Sequence, residues 1–382
     1  MIYHQIVQQI VDGMIVVMAG ILIAFTVALV LVHFITNARQ ERMRRIREQV
    51  LRLVNVNAQI DYLKGQIYEI VNSTEKAATL HSVRGIRSHR GLQVLELVSR
   101  EVDCQQAAVL RDAVADPWFA AYLQKKLRGR NRDMVLLTMK LLGQLQISGY
   151  EDDIEQNLRR FPRDTAVQEI GLLALFLQGR QAQIVQLFAE KEFQIVLSFR
   201  SLHELFVHYQ GEKCAFYQEI LSGDCDPYVY KACIRAAGED GCTALCPLIV
   251  RELKAPQLNV LLEAIRTIGR LGYLPATEQI RRLTQHTAWE VRCAAVDALL
   301  CLDYAGCYDA ILACLYDKEW WVRFHAAEAL VTLPCRAQLL ADVQASGDQY
   351  AQEMLQYIIE RDALLAKGVR GGGHINADSA GD

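Results

Sequence analysis

The sequence predicts an all-α chain in three parts: one transmembrane helix near the N-terminus, a stalk helix, and a long array of helical hairpins. Three observations carry this. Residues 14–35 form an uncharged apolar run, apolar residues beyond it recur at spacings of three and four, and a valine-centred pattern returns every 31 residues. Composition agrees. Hydrophobic residues make up 52% of the 382 and charged residues 22%, which excludes a disordered chain. Seven prolines and 23 glycines are few for a β-sandwich, which needs a turn every ~8–12 residues.

Residues 1–13 read as a short extracytoplasmic N-terminus without Lys or Arg. Residues 14–35, MIVVMAGILIAFTVALVLVHFI, rise about 33 Å as a helix, enough to span the hydrocarbon core. A signal peptide would carry a basic start, a shorter apolar stretch and a small-residue cleavage site, and none of these is present. Arg39, Arg42, Arg44, Arg45 and Arg47 follow the run, against Asp12 alone before it, so the C-terminal side is expected in the cytoplasm of a single-pass inner-membrane protein. The lipid bilayer is thus a partner through residues 14–35. Gly20, Ala24 and Ala28 form a small-xxx-small ridge suited to packing against another transmembrane helix. Eleven cysteines, an odd number scattered through apolar stretches, form no obvious disulfide framework and fit a reducing compartment.

Residues 36–84 read as the basic flank and the stalk. Leu53, Val56, Ile60, Leu63, Ile67 and Ile70 occupy a and d positions over nearly three heptads, the seam of a short coiled coil for self-association or pairing with a partner. The other reading is that this stripe packs on the first helices of its own domain.

From residue 85 to 366 the chain reads as amphipathic helices joined by short connections. Val229, Val260, Val291 and Val322 stand 31 residues apart; Cys233, Ala264, Ala295 and Ala326 follow four residues later, and Ala237, Ile268, Leu299 and Leu330 eight later. This i, i+4, i+8 stripe, rich in small residues, allows neighbouring helices to approach closely. Val167, Gly171 and Leu175, and Met134 with Leu142, keep only the period.

The copies Glu290-Val-Arg-Cys-Ala-Ala-Val-Asp-Ala-Leu299 and Trp321-Val-Arg-Phe-His-Ala-Ala-Glu-Ala-Leu330 resemble the second helix of the HEAT repeat, most clearly over residues 220–335. The resemblance implies a HEAT-like right-handed α-solenoid of about eight or nine helix pairs. It also implies that Arg292 and Arg323, each just after the repeat valine, bond to adjacent structure. The last helix is expected near Gln349–Ala366, with a disordered tail over 367–382.

No constellation for catalysis is found. The glycines at 371–373 follow a helix instead of opening one, so they make no phosphate loop. His203 and His208 are five apart, which splays them about 140° round a helix and off a common metal. Nine cysteines lie within 214–314, where Cys242 and Cys246, one turn apart, offer half a metal site with Cys233 or Cys225; the alternative is small-residue packing. Removing Asp12 and the +3 of residues 39–48 from the total of −3 leaves −5 on residues 49–382, so nucleic acid is not an expected partner despite Lys125, Lys126, Arg128, Arg130 and Arg132. No catalytic residue, cofactor or metal ligand is assigned.

Trp118, Trp289, Trp320 and Trp321 are the candidate partner anchors, Trp289 and Trp320 sharing one repeat position. The expected function is a non-catalytic, membrane-anchored cytoplasmic scaffold that binds a membrane protein complex. The chain resembles bacterial membrane-anchored HEAT-repeat proteins, and that resemblance implies an envelope polysaccharide glycosyltransferase or transport system as the machine served. Two alternatives stay open: a metal-binding or enzymatic protein using the cysteine-rich repeats, and a dimerisation module acting through the stalk.

Overall fold

In a computed structural model the described residues are 28–29, 32–33, 35–55, 80, 83–302, 304–333 and 336–371. Every regular element among them is helical, and no helix among them is long and apolar enough to cross a membrane. The span expected over 14–35 lies outside the described residues except at 28–29, 32–33 and 35, as do Gly20, Ala24, Val56, Ile60, Leu63, Ile67 and Ile70. The chain divides into two compact units, 1–161 and 162–382.

The first unit holds α1 (35–55), α2 (His89–Glu101), α3 (Cys104–Ala115), α4 (Pro117–Leu127), α5 (Arg132–Gln144) and α6 (Glu151–Arg160). Its helices start on local signals. Asp103 and Gln106 close a capping box on α3, and Asp116, preceding Pro117 at the first position of α4, accepts the Trp118 N–H. The stripe of α1 is used inside the unit: Ile46, Val50, Leu53 and Val54 are buried, Arg47 pairs with Glu101 of α2, and the Gln106 amide of α3 donates to Asn55 at 2.8 Å. Leu53 thus packs inside its own unit, the second of the two readings of the stripe. Covering apolar surface on its own domain needs no second copy.

The second unit holds α7 (Thr165–Leu177), α8 (Gln181–Ala189), α9 (Phe199–His208), α10 (Lys213–Ser222), α11 (Pro227–Glu239), α12 (Cys246–Ile249), α13 (Leu258–Leu271), α14 (Thr277–Leu283), α15 (Trp289–Leu302), α16 (Tyr304–Leu315), α17 (Trp320–Thr332), α18 (Arg336–Ser346) and α19 (Gln349–Gly371). The odd-numbered helices form one continuous row in which each packs on the next, and the even-numbered helices cover it as a second layer. The repeat stripe builds this row. Val229, Val260, Val291 and Val322 are buried, and so are Cys233, Ala264, Ala295, Ala326, Ala237, Ile268, Leu299 and Leu330.

Small residues set the helix spacing. A Cβ added at Gly238 would lie 2.8 Å from Thr267 Cγ2, and one at Gly269, a period later, 2.9 Å from both Cα and Cβ of Ala298. The row thus packs backbone against backbone. α19 continues to Gly371, five residues past the expected boundary at 366, because no proline stops propagation there.

Candidate functional site

The face of the second unit left outside the repeat stripe carries two features in register with the period. Arg235, Arg266, Asp297 and Glu328 stand 31 residues apart on α11, α13, α15 and α17 and are all at least partly exposed. They knit neighbouring helices together. Arg235 lies 3.9 Å from Glu263, His325 Nδ1 lies 2.8 Å from Asp297, and Glu328 accepts from Arg361 of α19 at 2.6 Å. The Asp297 carboxylate beside it raises the His325 pKa, against burial and the positive Arg266. Sequence reading missed this row, although the 31-residue ruler that located the valines also locates these charges.

The second feature is aromatic. Trp320 and Trp321 open α17 and are 45% and 52% exposed, while Trp289 opens α15 at 38%. Trp320 meets Trp321 edge-on at 4.8 Å and stacks on Phe324 at 5.1 Å, and the Arg361 guanidinium lies over Phe324 at 5.5 Å. Large rigid rings held at the surface offer a binding patch at small entropic cost. Trp118 belongs to the first unit, half-buried under the Arg87 guanidinium at 4.6 Å.

Arg292 and Arg323 stand three residues after Trp289 and Trp320 on the same two helices. Arg292 grips Asp317 with Nε and Nη2, at 2.7 and 2.8 Å, and donates Nη1 to the carbonyls of His286 and Thr287. Arg323 repeats the carbonyl contacts one period on, to Asp317 and Lys318, and lies over the Tyr350 ring at 5.5 Å. Burial raises the Asp317 carboxyl, but hydrogen bonds from Arg292 and the Glu319 N–H outweigh it and hold it below the ordinary carboxylate range. A pocket of about 630 Å³ beside this pair mixes Arg281, His286, Asp309 and Lys318 on its walls.

Cys242 needs a correction, because it is joined to Cys214 of α10, with Cα atoms 5.7 Å apart. Lys213 and Tyr217 of α10 both bond Asp240, at 2.9 and 2.6 Å, and so draw Cys214 to the turn carrying Cys242. Cys242 is thereby taken out of the half-site proposed with Cys246. Among the described residues no three His, Cys, Asp or Glu gather as a metal site. Burial pushes the Cys225 and Cys293 thiols up to about 12 and Cys314 to about 11, so they stay protonated near neutrality. His203 and His208 diverge as well: His203 lies 2.9 Å from Glu239 of α11, and His208 Nδ1 donates back to the Glu204 carbonyl.

Residues 216–299 match the family model for HEAT repeats. The sequence matches no curated protein. Among solved structures, the chain is similar to an engineered protein (16% identity, 71% of this chain and 78% of that one, TM-score 0.32). It is also similar to the complex of CpcE and CpcF of phycocyanin lyase from Nostoc sp. PCC7120 (16% identity, 75% and 96%, TM-score 0.25). A third is a designed armadillo repeat protein in complex with the peptide (KR)4 (17% identity, 62% and 97%, TM-score 0.27).

Proposed function

We propose that the protein is a non-catalytic, membrane-anchored scaffold whose HEAT-like unit, coiled as a right-handed solenoid in the cytoplasm, binds a component of a membrane complex. The aromatic patch of Trp320, Trp321 and Phe324 carries this reading, since it exposes stacked rings beside a row of charges instead of burying them. The anchor is supported by the uncharged run 14–35 and its arginine flank, and by Leu29, Val32 and Ile35, which are about half exposed. The resemblance to bacterial membrane-anchored HEAT-repeat proteins supports an envelope polysaccharide glycosyltransferase or transport system as the machine.

The test is mild detergent extraction of the full chain through a C-terminal tag, with the W320A/W321A variant alongside. A membrane protein recovered near one-to-one, and reduced at least about tenfold by the variant, is expected. Equal recovery with both chains would remove the patch from the interface. Recovery of no membrane protein would overturn the scaffold reading.

A further inference from the structure

A groove of about 680 Å³ lies between α1 and the turn that enters α2. Arg42, Arg45, Ile46 and Gln49 share one face of α1 and form one wall, and Arg84, Ser88 and Arg90 form the other. Four guanidiniums therefore converge on one concave surface. Glu41 stands 3.4 Å from Arg45, but among the described residues no carboxylate lies within ion-pair distance of Arg42, Arg84 or Arg90. Two other arginines of α1 have acidic partners, Arg44 in Glu48 and Arg47 in Glu101.

The backbone adds to the positive field. α2 begins at this groove, and its first turn holds no acidic residue, so the positive end of its dipole faces cations where helices favour anions. Ser88 fixes that end, donating Oγ to the Gly85 carbonyl at 2.6 Å and accepting the Gly91 N–H at 3.1 Å. Gly85 turns the chain at φ +83°, a conformation that side chains resist, and sits against Ile46 of the opposite wall. Like charges held together in a fixed concavity, with Glu41 as the one carboxylate paired to them among the described residues, define an anion site.

We propose that this groove binds a phosphate group carrying at least two negative charges, a phosphomonoester or diphosphate, presented on a lipid headgroup or free in solution. Three guanidiniums with no carboxylate partner among the described residues call for more charge than the single one of a phosphodiester, and planar guanidinium forks suit phosphate oxygens. The lipid source rests on the membrane-anchored reading. Arg42 lies seven residues beyond Ile35, about 10 Å further along a continuous helix and near headgroup depth.

The test is native mass spectrometry of the full-length protein in detergent with three probes: phosphatidic acid (a monoester), phosphatidylglycerol (a diester) and inorganic pyrophosphate. Phosphatidic acid or pyrophosphate should be retained at least about tenfold over phosphatidylglycerol, and R42Q/R84Q/R90Q should lose about tenfold. R39Q/R44Q, which removes charge outside the groove, should change retention less than about twofold. R42K/R84K/R90K keeps charge and fold but lacks the forks, and should weaken retention several-fold with helicity unchanged.

Retention of phosphatidic acid without pyrophosphate identifies the lipid source, and pyrophosphate alone identifies the free one. Equal retention of the two lipids, equal loss in R39Q/R44Q, or no retained probe would each overturn the site. None of these measurements requires the protein partner, so a failed partner capture leaves this result standing.

Discussion

Arg292 of α15 and Asp317 of the turn before α17 meet fork to fork, at 2.7 and 2.8 Å, largely shielded from water at the edge of the 630 Å³ pocket. The same guanidinium holds two carbonyls of the turn preceding its own helix, so one side chain fastens two successive turns of the array. Removing one partner leaves the other's charge, largely shielded from water, without its counter-charge.

Arg292→Ala should therefore destabilise the second unit by about 3 kcal/mol, measured by chemical denaturation. R292A/D317A should cost clearly less than the two single changes added together. The depressed Asp317 carboxyl gives a contribution fully present above its unfolded pKa and lost as pH falls through its lower folded value. In Asp317→Asn the acid limb of the stability profile should flatten.

His325 predicts the opposite slope. Its pKa is raised by Asp297, so its contribution is complete below the unfolded value of about 6.5 and fades as pH rises through the folded one. His325→Gln should abolish that loss near neutrality. A profile unchanged by the substitution would show that the Asp297 contact does not favour the charged ring.

Gly269→Ala reverses the usual helix preference. An exposed helical position gains about 1 kcal/mol from this change. Here the new Cβ meets the Ala298 backbone at 2.9 Å, and a net loss of about 1–3 kcal/mol is expected. Ala298→Gly in the same chain should recover part of it, since it removes one of the two clashing carbons.

The Cys214–Cys242 bond closes a separation of 28 residues, and in chain-entropy terms it stabilises the oxidised protein by roughly 3–4 kcal/mol. If the second unit lies in the cytoplasm, as proposed, both thiols should be alkylated in intact cells and the bond should form only after lysis in air. A bond found already oxidised in rapidly quenched cells would reverse the proposed orientation.

The sequence by itself determined the helical class, the 31-residue period and the residues buried along it. A stripe at i, i+4, i+8 is a local property of the chain, and small side chains in it permit only close packing. The charged row from Arg235 to Glu328 was equally legible on that ruler, yet which charges touch depended on helix spacing. Only the tertiary structure decided that Leu53 turns inward, that Cys214 reaches Cys242, that Trp118 lies under Arg87, and that Arg42 shares a groove with Arg84 and Arg90. Each joins residues far apart in the chain or in separate elements, whose meeting depends on how helices dock and turns close, and no local periodicity records that distance.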